Sequence, residues 1–209
     1  MLLAELREKY EDNEPIYLED AMKVLGVTSS YCRILMSKWV KNNQLKRFER
    51  GVYYFPKASK LFGEAAFDTQ KVIKDKYLGT KEKPLGYYAD FTLANMVGIT
   101  TQVPAKTIIV TNNERGERRR EVKIGNQKLL ISRPKKLINK DNVMALMLLD
   151  LVSVANKYSE LSRKETIEIV KRFAVNAKVT WRQIKDNIDA YPTRVSQELI
   201  KMEIYDVLA

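Results

Sequence analysis

Apolar residues recur at helical spacing twice before residue 42. From Tyr17 to Gly26, Leu18, Ala21, Met22 and Leu25 fall on one side of a short helix, and Gly26 offers the positive φ that ends one. Thr28 or Ser29 can cap the next helix through a side-chain oxygen. Over residues 29–43, Cys32, Leu35, Met36, Trp39 and Val40 recur at i, i+3, i+4, i+7 and i+8, which defines an inward face. Ser30, Arg33, Ser37, Lys38 and Lys41 make up the other face. The runs QLKRF and VYYF then flank a turn containing Gly51, a hairpin signal. With a first helix over residues 2–10, Leu2, Leu3 and Leu6 inward, the pattern predicts a winged helix-turn-helix domain over residues 1–57.

The pattern changes after Phe55. The stretch FPKASKLFG reads as a link, followed by a helix from about Glu64 to Tyr77 and a Gly-, Pro- and Lys-containing loop over 79–86. YYADFTLANMVG reads as a strand end leading into a short helix stopped by Gly98. Thr107 to Thr111 is a β-branched strand. Residues 114–134 hold two or three strands, with Gly125-Asn126 as a hairpin turn. After Pro134 the period becomes helical. Asp141 or Asn142 can cap a helix to about Tyr158, Ser162–Glu165 is a capping box for a helix to about Asn176, and Thr180–Gln183 repeats that signal. A last helix runs from Thr193 to the end. The chain is therefore read as α+β, with an N-terminal winged helix-turn-helix followed by a mixed α/β domain over 63–209, strand-rich over about 86–134 and helical over about 141–209.

Charge sharpens the reading of the first domain. Residues 21–60 carry nine bases (Lys23, Arg33, Lys38, Lys41, Lys46, Arg47, Arg50, Lys57 and Lys60) and one acid, Glu49, a net of +8 in a chain whose total is +11. Residues 1–20, by contrast, hold seven acids and two bases. Neutralising duplex phosphates needs such a local surplus. Ser29, Ser30, Tyr31 and Arg33 are placed to meet base edges, with Arg33 able to donate two bonds to guanine. Ser37, Lys38 and Lys41 face the same side, the lysines suited to phosphates. Lys46, Arg47 and Arg50 sit on the hairpin, which can lie along the backbone or enter a minor groove. The plain alternative is a solvated helix face and a charged hairpin that keep the protein soluble. A second basic region, Arg118, Arg119, Arg120 and Lys123 with Arg115, Lys128, Arg133, Lys135 and Lys136, either widens a nucleic-acid footprint, meets an acidic partner, or is a β edge guarded by charge.

Composition excludes several chemistries. There is no histidine and a single cysteine, Cys32, so Ser-His-Asp and Cys-His catalysis, His-ligated metals and zinc fingers are ruled out. No glycine-rich phosphate loop is present, and no cofactor is expected. Cys32, on the inward face, reads as a small core residue, and one thiol suits a reducing cytoplasm. The first residues lack the basic and apolar regions of a signal peptide. The apolar run Val143 to Ala155, interrupted by Asp150 and Ser153, is too short to span a bilayer, so no membrane association is expected. One enzyme-like pattern stands out: Asp90 with Glu121-Val122-Lys123 imitates the carboxylates and lysine of metal-dependent nucleases. Glu-x-Lys arises often by chance in a chain this charged, and three arginines precede Glu121; the chain is read as a non-enzyme.

The segments GVYYFPKASKLFG and GYYADFTLANMVGITTQVP…IIVTNN resemble the AbiEi antitoxin family of type IV toxin–antitoxin systems. The residues that carry the resemblance are Gly51, Tyr53, Pro56, Lys57, Gly63, Gly86, Tyr87, Asn95, Gly98, Thr100-Thr101-Gln102-Val103-Pro104 and Thr111-Asn112. It spans roughly residues 17 to 135, and its specificity lies in the pairing of the first segment with GITTQVP. The resemblance implies a cytoplasmic autorepressor that binds the operator DNA of its own operon. It also implies a C-terminal domain that counteracts a nucleotidyltransferase-type toxin without requiring a stable complex. A general nucleic-acid adaptor without operator preference is the competing reading.

Overall fold

The computed structural model describes residues 1–59 and 63–208. Lys60, the rest of the expected link at 60–62, and Ala209 at the end of the expected last helix lie outside them. The chain divides into two compact units, Met1–Val72 and Ile73–Ala209, and its fold is mixed α+β.

The first unit holds three helices, α1 (Leu2–Lys9), α2 (Leu18–Leu25) and α3 (Ser29–Lys41), and strands β1 (Ile16–Tyr17), β2 (Lys46–Glu49) and β3 (Val52–Tyr54). The strands form an antiparallel sheet in the order β1-β3-β2. Gly26 ends α2 in the left-handed region at φ 61°. Thr28 caps α3 by accepting from the Tyr31 amide at 3.4 Å. Gly51, at φ 81°, turns the hairpin, and its carbonyl accepts from the Leu18 amide at 3.0 Å. The core beneath is Leu6, Ile16, Ala21, Leu25, Cys32, Met36, Trp39, Leu45, Tyr53 and Phe55. Burial pushes the Cys32 thiol pKa above its ordinary value.

This unit runs past residue 57. The Asn13 side chain accepts from the Lys57 amide at 3.2 Å and donates to the Ala66 carbonyl at 3.2 Å. Phe67 packs against Phe48 and Tyr54 with ring centres 4.5 and 4.4 Å away. A short ribbon of β4 (Ala58–Ser59) and β5 (Gly63–Glu64) occupies the place where a helix was expected to start. Helix α4 (Thr69–Ile73) begins only at Thr69, because Asp68 accepts from the amides of Gln70 and Lys71 at its first turn. A π-helical turn, Lys74–Leu78, continues it.

The second unit is built on a four-stranded sheet in the order β6-β7-β9-β8: β6 (Gly86–Tyr88), β7 (Thr107–Thr111), β8 (Arg120–Ile124) and β9 (Gln127–Ser132). Only the β7–β9 pair is parallel. Gly86 admits no side chain: a Cβ there would lie 2.2 Å from the Tyr77 carbonyl and 2.4 Å from that of Val110. Five helices follow or interleave: α5 (Asp90–Val97), α6 (Val143–Tyr158), α7 (Arg163–Asn176), α8 (Trp181–Lys185) and α9 (Thr193–Lys201). Helix α6 is the centre, apolar on most sides and packed by α5, α7, α8 and α9, with Leu146, Leu148, Leu149 and Leu151 fully or almost fully buried. Helix α7 opens on the expected capping box at Ser162 and Glu165, and α8 on that at Thr180 and Gln183.

Two expected helix ends differ. Asn142 does not cap α6 through its side chain; its amide group instead spans the preceding turn, accepting from the Asn139 amide and donating to the Leu137 carbonyl. The last helix stops at Lys201, because Glu203 adopts the left-handed conformation and a 3₁₀ turn, Ile204–Val207, follows. Among the described residues no helix is long and apolar enough to cross a membrane. Leu148→Ala, which empties the middle of α6, is expected to lower the unfolding free energy by about 2–5 kcal/mol, measured by urea denaturation.

Candidate nucleic-acid interface

Helix α3 has two sides of opposite chemistry. Cys32, Met36 and Trp39 face the core, with Leu35 and Val40 half-buried beside them. Ser30, Tyr31, Arg33, Ile34, Ser37, Lys38 and Lys41 are exposed, and Ser29 is half-buried at the first turn. Arg33, Ile34, Ser37, Lys38, Lys41 and Asn42 line a shallow hollow of about 430 Å³ on that face. Among the described residues, none of Arg33, Lys38, Lys41 and Arg50 has an ion-pair partner. Their charge is therefore available to an external anion. The first turn of α3, its Tyr31 amide held by Thr28, adds partial positive charge near Ser30.

The hairpin presents the remaining candidates. Arg47 and Arg50 are exposed and Lys46 is half-buried. The Arg47 Nε donates to the Glu49 carbonyl at 3.3 Å, which folds that side chain along its own strand. The strand pairing slips between Arg47 and Glu49; a bulge of this kind twists a strand and redirects its side chains. Chemically, helix and hairpin together offer guanidinium and ammonium donors and hydroxyls, with Glu49 the one carboxylate on the hairpin strands.

The second basic region is less uniform than the sequence implies. Arg119 pairs with Asp90 at 2.5 Å and Arg120 with Glu114 at 2.9 Å. Arg118 and Lys123 are exposed and unpaired among the described residues. Lys123 sits opposite Lys128 in the register of the outer strand pair. Like charges opposed there discourage another strand from adding at the edge.

The nuclease-like set is held by structural partners. Asp90 starts α5 at φ 54° and is almost buried. Burial pushes its carboxyl up, but hydrogen bonds from Tyr158 and Arg119 and the charges of Arg119 and Lys157 leave it below its ordinary value. Glu121 is exposed and paired with Lys106, which lowers its pKa through a hydrogen bond and charge. Among the described residues no group of three or more acidic, cysteine or histidine side chains converges as a metal site.

Two charged clusters form at Asp150 and at the TTQVP junction, both visible in the sequence, with partners that the sequence did not name. Asp150, within apolar α6, accepts from the Tyr87 hydroxyl at 2.7 Å and pairs with Lys135 at 2.5 Å, whose ammonium lies 3.9 Å from the centre of the Tyr191 ring. Burial, then the Asp150 charge, pushes both tyrosine hydroxyls up. The signal was present: a lone acid interrupting an apolar run needs a partner when buried. The other cluster is at TTQVP. Glu160 accepts from the Thr101 amide at 2.8 Å, the Thr101 hydroxyl at 2.9 Å and the Gln102 side chain at 2.5 Å. Asn95 donates to the carbonyls of Thr100 and Gln102. The motif is a backbone clamp between the α5 and α6 ends, with Val103 left exposed.

Residues 10–177 match the family model described as "Family of unknown function (DUF6088)". No curated protein matches the chain.

The clamp has a pH signature. The Thr101 amide, then the Gln102 and Thr101 side chains, hold the Glu160 carboxyl at about 2 against an ordinary 4.5. A carboxyl lowered on folding stabilises above its unfolded pKa and loses that contribution as pH falls through the folded one. Carbon-detected NMR is expected to place the Glu160 midpoint near 2. Glu160→Gln is expected to speed amide exchange at Thr101 at neutral pH, and unchanged exchange would remove the clamp from the account.

Proposed function

We propose that this chain, which belongs to the DUF6088 family of unknown function, is a sequence-specific DNA-binding repressor whose first unit acts as a winged helix-turn-helix. The observation that carries this reading is the free cationic face of α3: Arg33, Lys38 and Lys41, exposed and without carboxylate partners among the described residues, on a helix fixed to its core by Cys32, Met36 and Trp39. In the proposed complex α3 lies in a major groove, with Ser30, Tyr31 and Arg33 toward base edges and Lys38 and Lys41 on phosphates. The hairpin, carrying Arg47 and Arg50, lies along the flanking backbone.

The regulatory target and the antitoxin role rest on the resemblance to AbiEi proteins. On that reading the operator belongs to the protein's own operon, and the second unit counteracts a nucleotidyltransferase-type toxin in the cytoplasm. No enzymatic step is assigned to the chain: the pairing of Asp90 with Arg119 and of Glu121 with Lys106 supports structural roles for the nuclease-like residues.

Gel shifts with DNA from upstream of the protein's own gene, titrated with unrelated competitor, test the first part. Four cations placed on phosphates, Lys38, Lys41, Arg47 and Arg50, are expected to give a log–log salt slope of about −3 to −4. Lys41→Ala should weaken all sequences and lessen that slope by about 1, whereas Arg33→Ala should cost about 1–3 kcal/mol on the preferred site and flatten the preference. Binding that competitor removes equally well reduces the protein to a general nucleic-acid adaptor. For the second part, co-expression of the full chain is expected to restore growth to cells making the neighbouring nucleotidyltransferase, and continued arrest would count against antitoxin action.

A further inference from the structure

An open cleft in the second unit carries uncompensated positive charge. It encloses about 340 Å³, and Asn112, Glu114, Arg115, Arg133, Lys135 and Lys136 supply its polar walls. Most of those groups already have fixed partners. Asn112 exchanges two hydrogen bonds with the backbone of Ile138, at 2.8 and 3.0 Å, which joins the strand end to the segment before α6. Glu114 accepts from the Gly116 amide at 2.9 Å and from Arg120, and those contacts lower its pKa, the amide first. Its charge is thus answered from outside the cleft. Lys135 is tied to Asp150, and Lys136 to Asp189 and the Asp186 carbonyl.

Arg115 and Arg133 remain. Both are exposed, and neither guanidinium has a hydrogen-bond or ion-pair partner among the described residues, the Arg115 main-chain amide alone being turned toward Glu114. Two guanidinium forks beside a rim fixed by hydrogen bonds suit a compact, multiply charged oxyanion, because each fork can donate two parallel bonds. A cleft of this volume fits a phosphate or diphosphate group rather than the side of a duplex. An acidic side chain carries one charge and would leave half of the local excess unanswered.

We infer that Arg115 and Arg133 form a binding site for a terminal phosphate or diphosphate, supplied by a free nucleotide or by the phosphorylated end of a strand. This site does not depend on the DNA reading of the first unit. Binding there involves no covalent step; Lys135 and Lys136 contribute field while staying on their own partners.

Calorimetric titration of the full chain with inorganic pyrophosphate at low salt is expected to show one saturable site with a Kd below about 1 mM. Arg115→Ala and Arg133→Ala should each weaken it about tenfold or more, Arg133→Lys less, and Arg172→Ala, exposed on α7, should leave it unchanged. In wild-type protein, amide NMR shifts should move first at Asn112 and Arg133, a readout that needs no variant. ATP and a ten-nucleotide RNA with a 5′-phosphate, compared with its 5′-hydroxyl form, separate the two sources. Absence of saturation with pyrophosphate, or equal weakening by Arg172→Ala, overturns the site. The Arg115 and Arg133 variants should still shift operator DNA, so failure here is distinguishable from failure of the repressor reading.

Discussion

Burial of Cys32, Met36 and Trp39 fixes which way α3 can face. These side chains recur every three or four residues, and with all three inward the helix cannot rotate. Everything on the opposite side must then meet solvent or a partner. The outward residues bring ammonium and guanidinium groups without neighbouring carboxylates, and repulsion between them is tolerable only in water or against an anion. The packing of three apolar residues is thus what turns a local excess of lysine and arginine into a directed surface.

The second unit handles charge in the opposite way. Its partly buried acids each have a particular cation: Arg119 for Asp90, Arg120 for Glu114, Lys135 for Asp150. An unpaired carboxylate inside such a unit would be costly, and the Asp90 and Asp150 pairings join separate parts of the chain. Asp150 in particular ties α6 to β6 through Tyr87 and to the segment after β9 through Lys135. The positive charge left over is consequently uneven, remaining at Arg115, Arg118, Lys123, Lys128 and Arg133 rather than along the whole basic stretch.

Short-range signals were the legible ones. Gly26, Thr28, Gly51, Gly98, Ser162 and Thr180 all act at turns or helix ends where their own backbone or side chain decides the outcome. The inward and outward faces of α3 followed equally from spacing. Errors came where a competing partner takes the group first. Asn142 was free to cap by local geometry, yet Asn139 and Leu137 take its side chain. Residues after Gly63 have helix-forming composition, but the β4–β5 ribbon and the Asp68 cap move the helix start to Thr69. Of the proposed interface, the residues of α3 could be listed from the sequence. The pairing of Arg119 and Arg120, and the isolation of Arg115 and Arg133, could not, because both depend on which acids the fold brings near.

The lone sulfhydryl of the chain has a wider consequence. Cys32 has no exposed surface, and its thiol is harder to ionise than in water. Peroxides and electrophiles react with the thiolate form, which this side chain rarely visits and never presents while the unit is folded. Reaction at this sulfur therefore requires the first unit to open, so its modification reports on local unfolding rather than on the folded surface.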